Sequence, residues 1–198
     1  LEEEYSNIIL EDLWKRPVEW YWILDSEIRP TPIRCYQPYF DENNYIISLA
    51  RLKTHNSVLA TLALKNLSMG MPMKRPDLNI NDKAKMHAFK DNKMTPKMIN
   101  YNQFMMATRR TPDFCVLDGT ESMEGNGPCG GTPVNHQVAL AGFDVVSVDR
   151  IGSELMGIPW EYIGYLQYCA DAGLGQGDRD KIKVTGIFQI LKHSVEEP

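Results

Sequence analysis

At 198 residues, the chain is long enough to bury a real core without disulfide or metal staples, and suggests one domain or one large domain with an appendage. Hydrophobic residues make up 43% and charged residues 24%, an ordinary globular balance, and no apolar run reaches the roughly 18 residues of a membrane span. The net charge of -5, with no basic–aromatic motif, argues against nucleic-acid binding.

Charge is unevenly spread. Residues 51–110 hold twelve Lys/Arg against three Asp/Glu, whereas residues 111–149 hold no Lys or Arg and six carboxylates. These blocks either neutralise each other across the fold or form the cationic and anionic walls of a cleft. The cysteines, Cys35, Cys115, Cys129 and Cys169, match no zinc or ferredoxin spacing. They read as reduced, buried thiols, with Cys129 the exception because it sits in a glycine-rich segment.

Residues 1–44 form an acidic, aromatic segment, irregular because prolines recur at 17, 30, 32 and 38, and expected to pack on the main domain. The main α/β domain is expected over 45–198. Tyr45–Ala50 reads as a buried strand. Val58, Leu59, Leu62 and Ala63 recur at helical spacing, so a helix is predicted from Thr54 or Asn56 to Gly70. That places Lys53 and His55 at a strand-to-helix junction, and Lys65 about 15 Å further along the helix by its 1.5 Å rise. Residues 73–94 are polar and basic. Thr95-Pro96 starts a second helix.

Asp113–Asp118 reads as a strand ending in a carboxylate, and Gln137–Gly142 as the next. Between them, Glu121–Gly131 (ESMEGNGPCGG) fits neither helix nor strand and reads as a loop. Its glycines allow close approach of main chain to a ligand and an amide nest for an anion. Asp144 is the N-cap of a helix that stops at Gly157 and Pro159, and Pro159 starts another ending at Gly173. Lys181–Thr185 alternates like a half-exposed strand. Strands and helices in alternation predict an α/β fold with a mixed or mostly parallel sheet flanked by helices.

Candidate chemistry sits at a few positions. His55 and His87 are bases or metal ligands, or else packing residues. Asp118 and Glu124 are acid/base groups or oxygen ligands for a divalent metal, with Asp149 a third ligand or a buried carboxylate that must find a cationic partner. Lys53, Lys65, Asn66, Gly125, Asn126, Gly127 and Gly131 are candidate contacts to a small anionic substrate. His136 and His193 read as surface residues.

Lys53-Thr54-His55, Lys65-Asn66, His87, Asp118-Gly119, Met123-Glu-Gly-Asn-Gly-Pro128 with Gly131, Asp144 with Asp149, and Met156-Gly157 together resemble the domain of unknown function 362 family over roughly residues 45–190. The Met-Glu-Gly-Asn-Gly-Pro run is the most specific part. The family's domain usually begins with further N-terminal strands, which implies that part of a site comes from a region these residues do not supply. Some members carry a ferredoxin-like iron–sulfur module. The cysteines here form no such set, so no iron–sulfur cluster is expected on this chain. Two readings follow: an enzyme binding a small anionic ligand or a divalent metal in a cleft made by the glycine-rich loop, or an accessory module that docks an iron–sulfur partner protein. The cytoplasm is the expected location, with a removed export signal left open because the chain starts at Leu1. Oligomeric state is not specified.

Overall fold

The computed structural model describes residues 4–5, 7–91 and 93–186. Its centre is a mixed five-stranded sheet. Strand β3 (Ile47–His55) runs parallel to β7 (Phe114–Glu124) and antiparallel to the short β4 (Leu59–Thr61). On its other edge β7 pairs antiparallel with β9 (Val138–Gly142) along its first half and with β8 (Thr132–Val134) at its end. Even-numbered residues of β3 and their partners on β7 face the core, where Leu52 and Leu117 are fully buried. The helices α3 (Pro96–Arg109), α4 (Val145–Leu155) and α5 (Gly164–Asp171) supply Ile99, Val148 and Leu166 to the same cluster. Helix α4 lies close on the sheet because Gly152 has no side chain; a Cβ there would stand 2.6 Å from Leu117. The opposite face of the sheet is open, with Ile47, Leu49 and Phe143 exposed.

The N-terminal segment is more regular than its prolines suggest. β1 (Val18–Leu24) and β2 (Pro30–Tyr36) form an antiparallel hairpin. Asp25 accepts the amides of Glu27 and Arg29 to shape the turn, and Ile28 takes a left-handed φ of 64°. Two prolines are tolerated in β2 because a two-stranded ribbon leaves half of its amides outside any ladder. Ile23, Ile33 and Cys35 of the hairpin pack with Leu67 and Met69 of α1 (Ala63–Gly70), Met71, Met86 and Met106 in a second core. Asn102, fully buried on α3, seals it: its amide oxygen accepts Leu24 N–H, and its amide nitrogen donates to the carbonyls of Leu24 and Met86. A small ribbon, β5 (Lys74–Arg75) and β6 (Ile80–Asn81), leads into the single turn α2 (Asp82–Lys85).

Several sequence expectations hold. Thr95 and Pro96 open α3, Asp144 accepts Ser147 N–H as the N-cap of α4, and Gly157 and Gly173 end their helices with φ near +70°. Others are corrected. The strand predicted over 45–50 runs on to His55, and the chain then turns back through β4, so α1 begins at Ala63. The helical spacing of Val58, Leu59, Leu62 and Ala63 came from a hairpin arm followed by a helix start, with Leu59 at a positive φ of 66°. Glu121–Glu124 is not loop but the last part of β7; only Gly125–Gly131 is the turn. Arg179–Lys181 is a single 3-10 turn, and Ile182–Thr185 forms no strand. His136 is buried rather than on the surface, while His193 lies outside the described residues.

Candidate functional site

The end of β3 is where the predicted site residues converge. Lys53 and His55 alternate with core-facing Leu52 and with Thr54, whose hydroxyl bonds the glycine-rich turn, so they share the other face of the strand. The hairpin through β4 then brings the first turn of α1 back alongside, and Lys65 with it. An uninterrupted helix would have carried Lys65 about 15 Å away. His87 and Lys83 come from α2 and the turn after it. This segment is anchored by Asp82, whose buried carboxylate accepts the backbone amide and guanidinium of Arg34 and pairs with Lys85 at 2.8 Å. Although burial alone would raise it, these bonds hold the Asp82 carboxyl below its usual range.

The resulting cluster is cationic and enclosed. Lys65 is 5% exposed and His55 6%. Burial, reinforced by Lys53 and Lys83, pushes the Lys65 ammonium down to about 8. Burial, then Lys65, His87 and Lys53, pushes the His55 imidazole down to about 4. His87 is likewise lowered, chiefly by burial, with Lys65 and Lys83 acting in the same sense against hydrogen bonding to Ala84 and Lys83. Lys83 is lowered by burial, then by Lys74 and Lys53. The charged neighbours that shift these four groups are all cations. Among the described residues, Lys53, Lys65 and Lys83 make no ion pair, since Asp82 is taken by Arg34 and Lys85, and Asp118 by Arg51.

Two details define the imidazoles. His55 Nδ1 accepts the Ser57 amide at 3.1 Å, which puts the proton of the neutral ring on Nε2. His87 Nδ1 is buried without a hydrogen-bond partner. Met69, one turn beyond Lys65 on the same face of α1, lines a cleft of about 300 Å³ together with Trp14, Tyr36, Lys74 and Lys83. The cleft and the cationic cluster therefore share Lys83 and adjoin along α1.

The glycine-rich turn packs against this same strand end. Thr54 donates its hydroxyl to Gly125 O at 2.9 Å, and Asn56 N–H donates to Gly127 O. A Cβ on Gly127 would stand 1.9 Å from Thr54 O, so only glycine fits. The amides of Gly127 and Gly130 bond inside the turn, to Gly125 O and Asn126 O. The turn thus braces β3 beside His55, and two of the amides expected to face a ligand are spent internally.

The carboxylates do not join the cluster. Asp118 accepts the Thr120 amide and lies 3.8 Å from Arg51 on the open face of the sheet. Glu124 is exposed beside the turn. Asp149 is fully buried, and its partner is no Lys or Arg: its two oxygens accept the amides of Ala63 and Leu64, each at 2.9 Å. It caps α1 from α4 and thereby fixes the turn that carries Lys65. Burial pushes the Asp149 carboxyl up to about 7 against those two bonds. No group of three or more His, Cys, Asp or Glu is placed to hold a metal among the described residues. Asn66 points away from the cluster and donates to Ser48 Oγ and Leu49 O, pinning α1 to β3. Lys83, Lys74 and the cleft were not picked out from sequence; the density of lysine in 74–93 was their only signal. Cys129 is exposed and the other three thiols are buried and free, as their spacing suggested.

Fold and site together define an α/β protein with a buried cluster of lysine and histidine side chains at one end of its sheet, unpaired by any carboxylate among the described residues. The chain belongs to the family described as Domain of unknown function (DUF362), whose model matches residues 24–154. It is also similar to the Thylakoid-associated protein sll1697 of Synechocystis sp., with 26% identity over 113 residues, 56% of this chain. The chain spans about a third of that relative's length, 32%. No solved structure matches it. No helix among the described residues is long and apolar enough to cross a membrane.

Proposed function

We propose that this protein binds a small organic anion, its charged end held by Lys53, Lys65 and Lys83 and its body in the cleft walled by Trp14, Tyr36 and Met69. The observation that carries this reading is the buried lysine without a counter-ion. A buried charge is retained only when something pairs with it, and among the described residues the charged groups around Lys65 are cations alone. A phosphate or carboxylate would complete the site and would draw protons onto His55 and His87, making both imidazoles further donors. The glycine-rich turn serves this site by bracing the strand end that presents Lys53 and His55.

The alternative, an accessory module docking an iron–sulfur partner, calls for an exposed basic patch and no concave site. The enclosure of Lys65 and His55 favours the ligand-binding reading. Isothermal titration calorimetry with inorganic phosphate, pyrophosphate and short carboxylates tests it. Saturable one-to-one binding should be lost in Lys65→Met and weakened about tenfold in Lys53→Met and Lys83→Met, from roughly 1.5 kcal/mol per charged hydrogen bond. Absence of heat with every anion, or equal binding by wild type and variants, would refute it.

A further inference from the structure

We infer that Lys65 is a nucleophilic amine that condenses with the carbonyl group of an anionic aldehyde or ketone to form an imine. This inference rests on the anion-binding reading and names its substrate class. Lys65 is enclosed, projects from the first turn of a helix fixed at its N-terminus by Asp149, and has no ion-pair partner among the described residues. Its charged neighbours, Lys53, Lys83, His55 and His87, come from β3, α2 and the turn after α2, and none is a carboxylate. Desolvation beside other cations is the environment that leaves a lysine uncharged and reactive near neutral pH. Lys53, Lys83 and the imidazoles hold the phosphate or carboxylate of such a substrate, and Lys65, which joins them around a simple anion, faces the carbonyl instead, so one set of charges both frees the amine and positions the carbonyl.

The step balances within the site. The neutral Lys65 Nζ attacks the carbonyl carbon, a C–N bond forms, and a proton moves from nitrogen to oxygen to give a carbinolamine. Protonation of its hydroxyl by an imidazolium, His55 through Nε2 or His87, charged because the bound anion draws a proton onto the ring, lets water leave as the nitrogen lone pair forms the C=N bond. The proton left on the iminium returns to the imidazole or stays, stabilised by the bound anion. Amine and carbonyl give imine and water, with no oxidant or reductant consumed.

Reductive trapping of the intact chain tests the inference. Pyridoxal 5′-phosphate and pyruvate are the anionic carbonyl probes, butyraldehyde is the uncharged control, and borohydride fixes any imine as a secondary amine that peptide mass spectrometry can map. Lys65 should be labelled by the anionic probes at least tenfold faster than exposed Lys85 or Lys97, with a rate that rises through about pH 8. Inorganic phosphate should protect it. Labelling confined to exposed lysines would overturn the inference. If phosphate binds by calorimetry and Lys65 is still unlabelled, the imine fails and the anion site stands. If butyraldehyde labels Lys65 as fast as the anionic probes and phosphate gives no heat, both the anionic substrate class and the binding reading fail. Lys65→Arg, which keeps the charge but carries no nucleophilic amine, should abolish the adduct.

Discussion

Replacing Lys65 with methionine should make the protein more stable and useless for binding. Methionine is close in length and flexible enough to fill the same channel, and it carries no charge to desolvate. Burial and neighbouring cations move the Lys65 ammonium from 10.5 to about 8. At about 1.4 kcal/mol per unit, holding that ammonium in the folded protein costs on the order of 3 kcal/mol at pH 7. Lys65→Met removes the cost, and in a chain of this size the melting temperature should rise by roughly 5–10 °C. The sign has a pH signature. A lysine whose folded value is depressed costs stability wherever it is protonated, fully below pH 8, and the cost fades as pH rises toward 10.5. The advantage of the variant should therefore shrink across that range. Calorimetric melts of wild type, Lys65→Met and the exposed control Lys97→Met, run at pH 7 and 10 with and without phosphate, decide it. Phosphate should stabilise wild type and Lys97→Met alone. A lower melting temperature for Lys65→Met, or a phosphate-induced rise equal to that of wild type, would refute the reasoning.

Three further outcomes follow from particular contacts. Asp149→Ala strands the buried amides of Ala63 and Leu64 and should cost about 2–4 kcal/mol by urea denaturation, with phosphate affinity falling because the first turn of α1 loosens; a loss under 1 kcal/mol would contradict the capping role. Gly127→Ala drives a methyl group into Thr54 O and should displace the turn, costing about 2 kcal/mol or more and at least tenfold in anion affinity, whereas Gly130→Ala, with its nearest atom at 3.2 Å, should be far milder by the same assays. Sulfate, which does not itself titrate in the range, should bind more tightly as pH falls from about 6.5 toward 4, because the bound anion returns to His55 and His87 the protons that burial denies them; an affinity flat with pH, measured by calorimetry in several buffers, would count against their part in the site.

What the sequence revealed and what it hid have physical reasons. Local signals were legible: Asp144 as an N-cap, Thr95-Pro96 as a helix start, Gly157 and Gly173 as stops, because each acts through its own neighbours in the chain. The apolar spacing at 58–63 misled, since a hairpin return and a helix start happen to repeat apolar residues at helical intervals. The strand read as ending at Asp118 continues to Glu124, with a shift of register against β3, and Leu52 and Val138 close over the space a Cβ on Gly119 would occupy. The hairpin of residues 18–36 was concealed by prolines that a two-stranded ribbon accommodates.

The site was legible by residue type but not by arrangement. Lys53, His55, Lys65 and His87 were all named from sequence, and the fold brings them together because α1 starts later than its periodicity implied. The carboxylates of residues 111–149 were expected either to neutralise the basic block or to form a second wall. Asp113 instead accepts Ile46 N–H and pairs with Arg110, Asp144 and Asp149 cap helices, and Asp118 stays on the open sheet face. Such long-range uses of a carboxylate leave no local pattern, so charge blocks along the chain do not forecast charge walls in the fold.

The most direct test of the buried lysine and histidine cluster is a proton NMR titration of the imidazoles, with His55 and His87 assigned through His55→Gln and His87→Gln. His55 should titrate near pH 4 in the free protein and move upward when phosphate or sulfate is added, with His87 following in the same direction. A His55 that titrates near its ordinary 6.5 and is unmoved by either anion would contradict it.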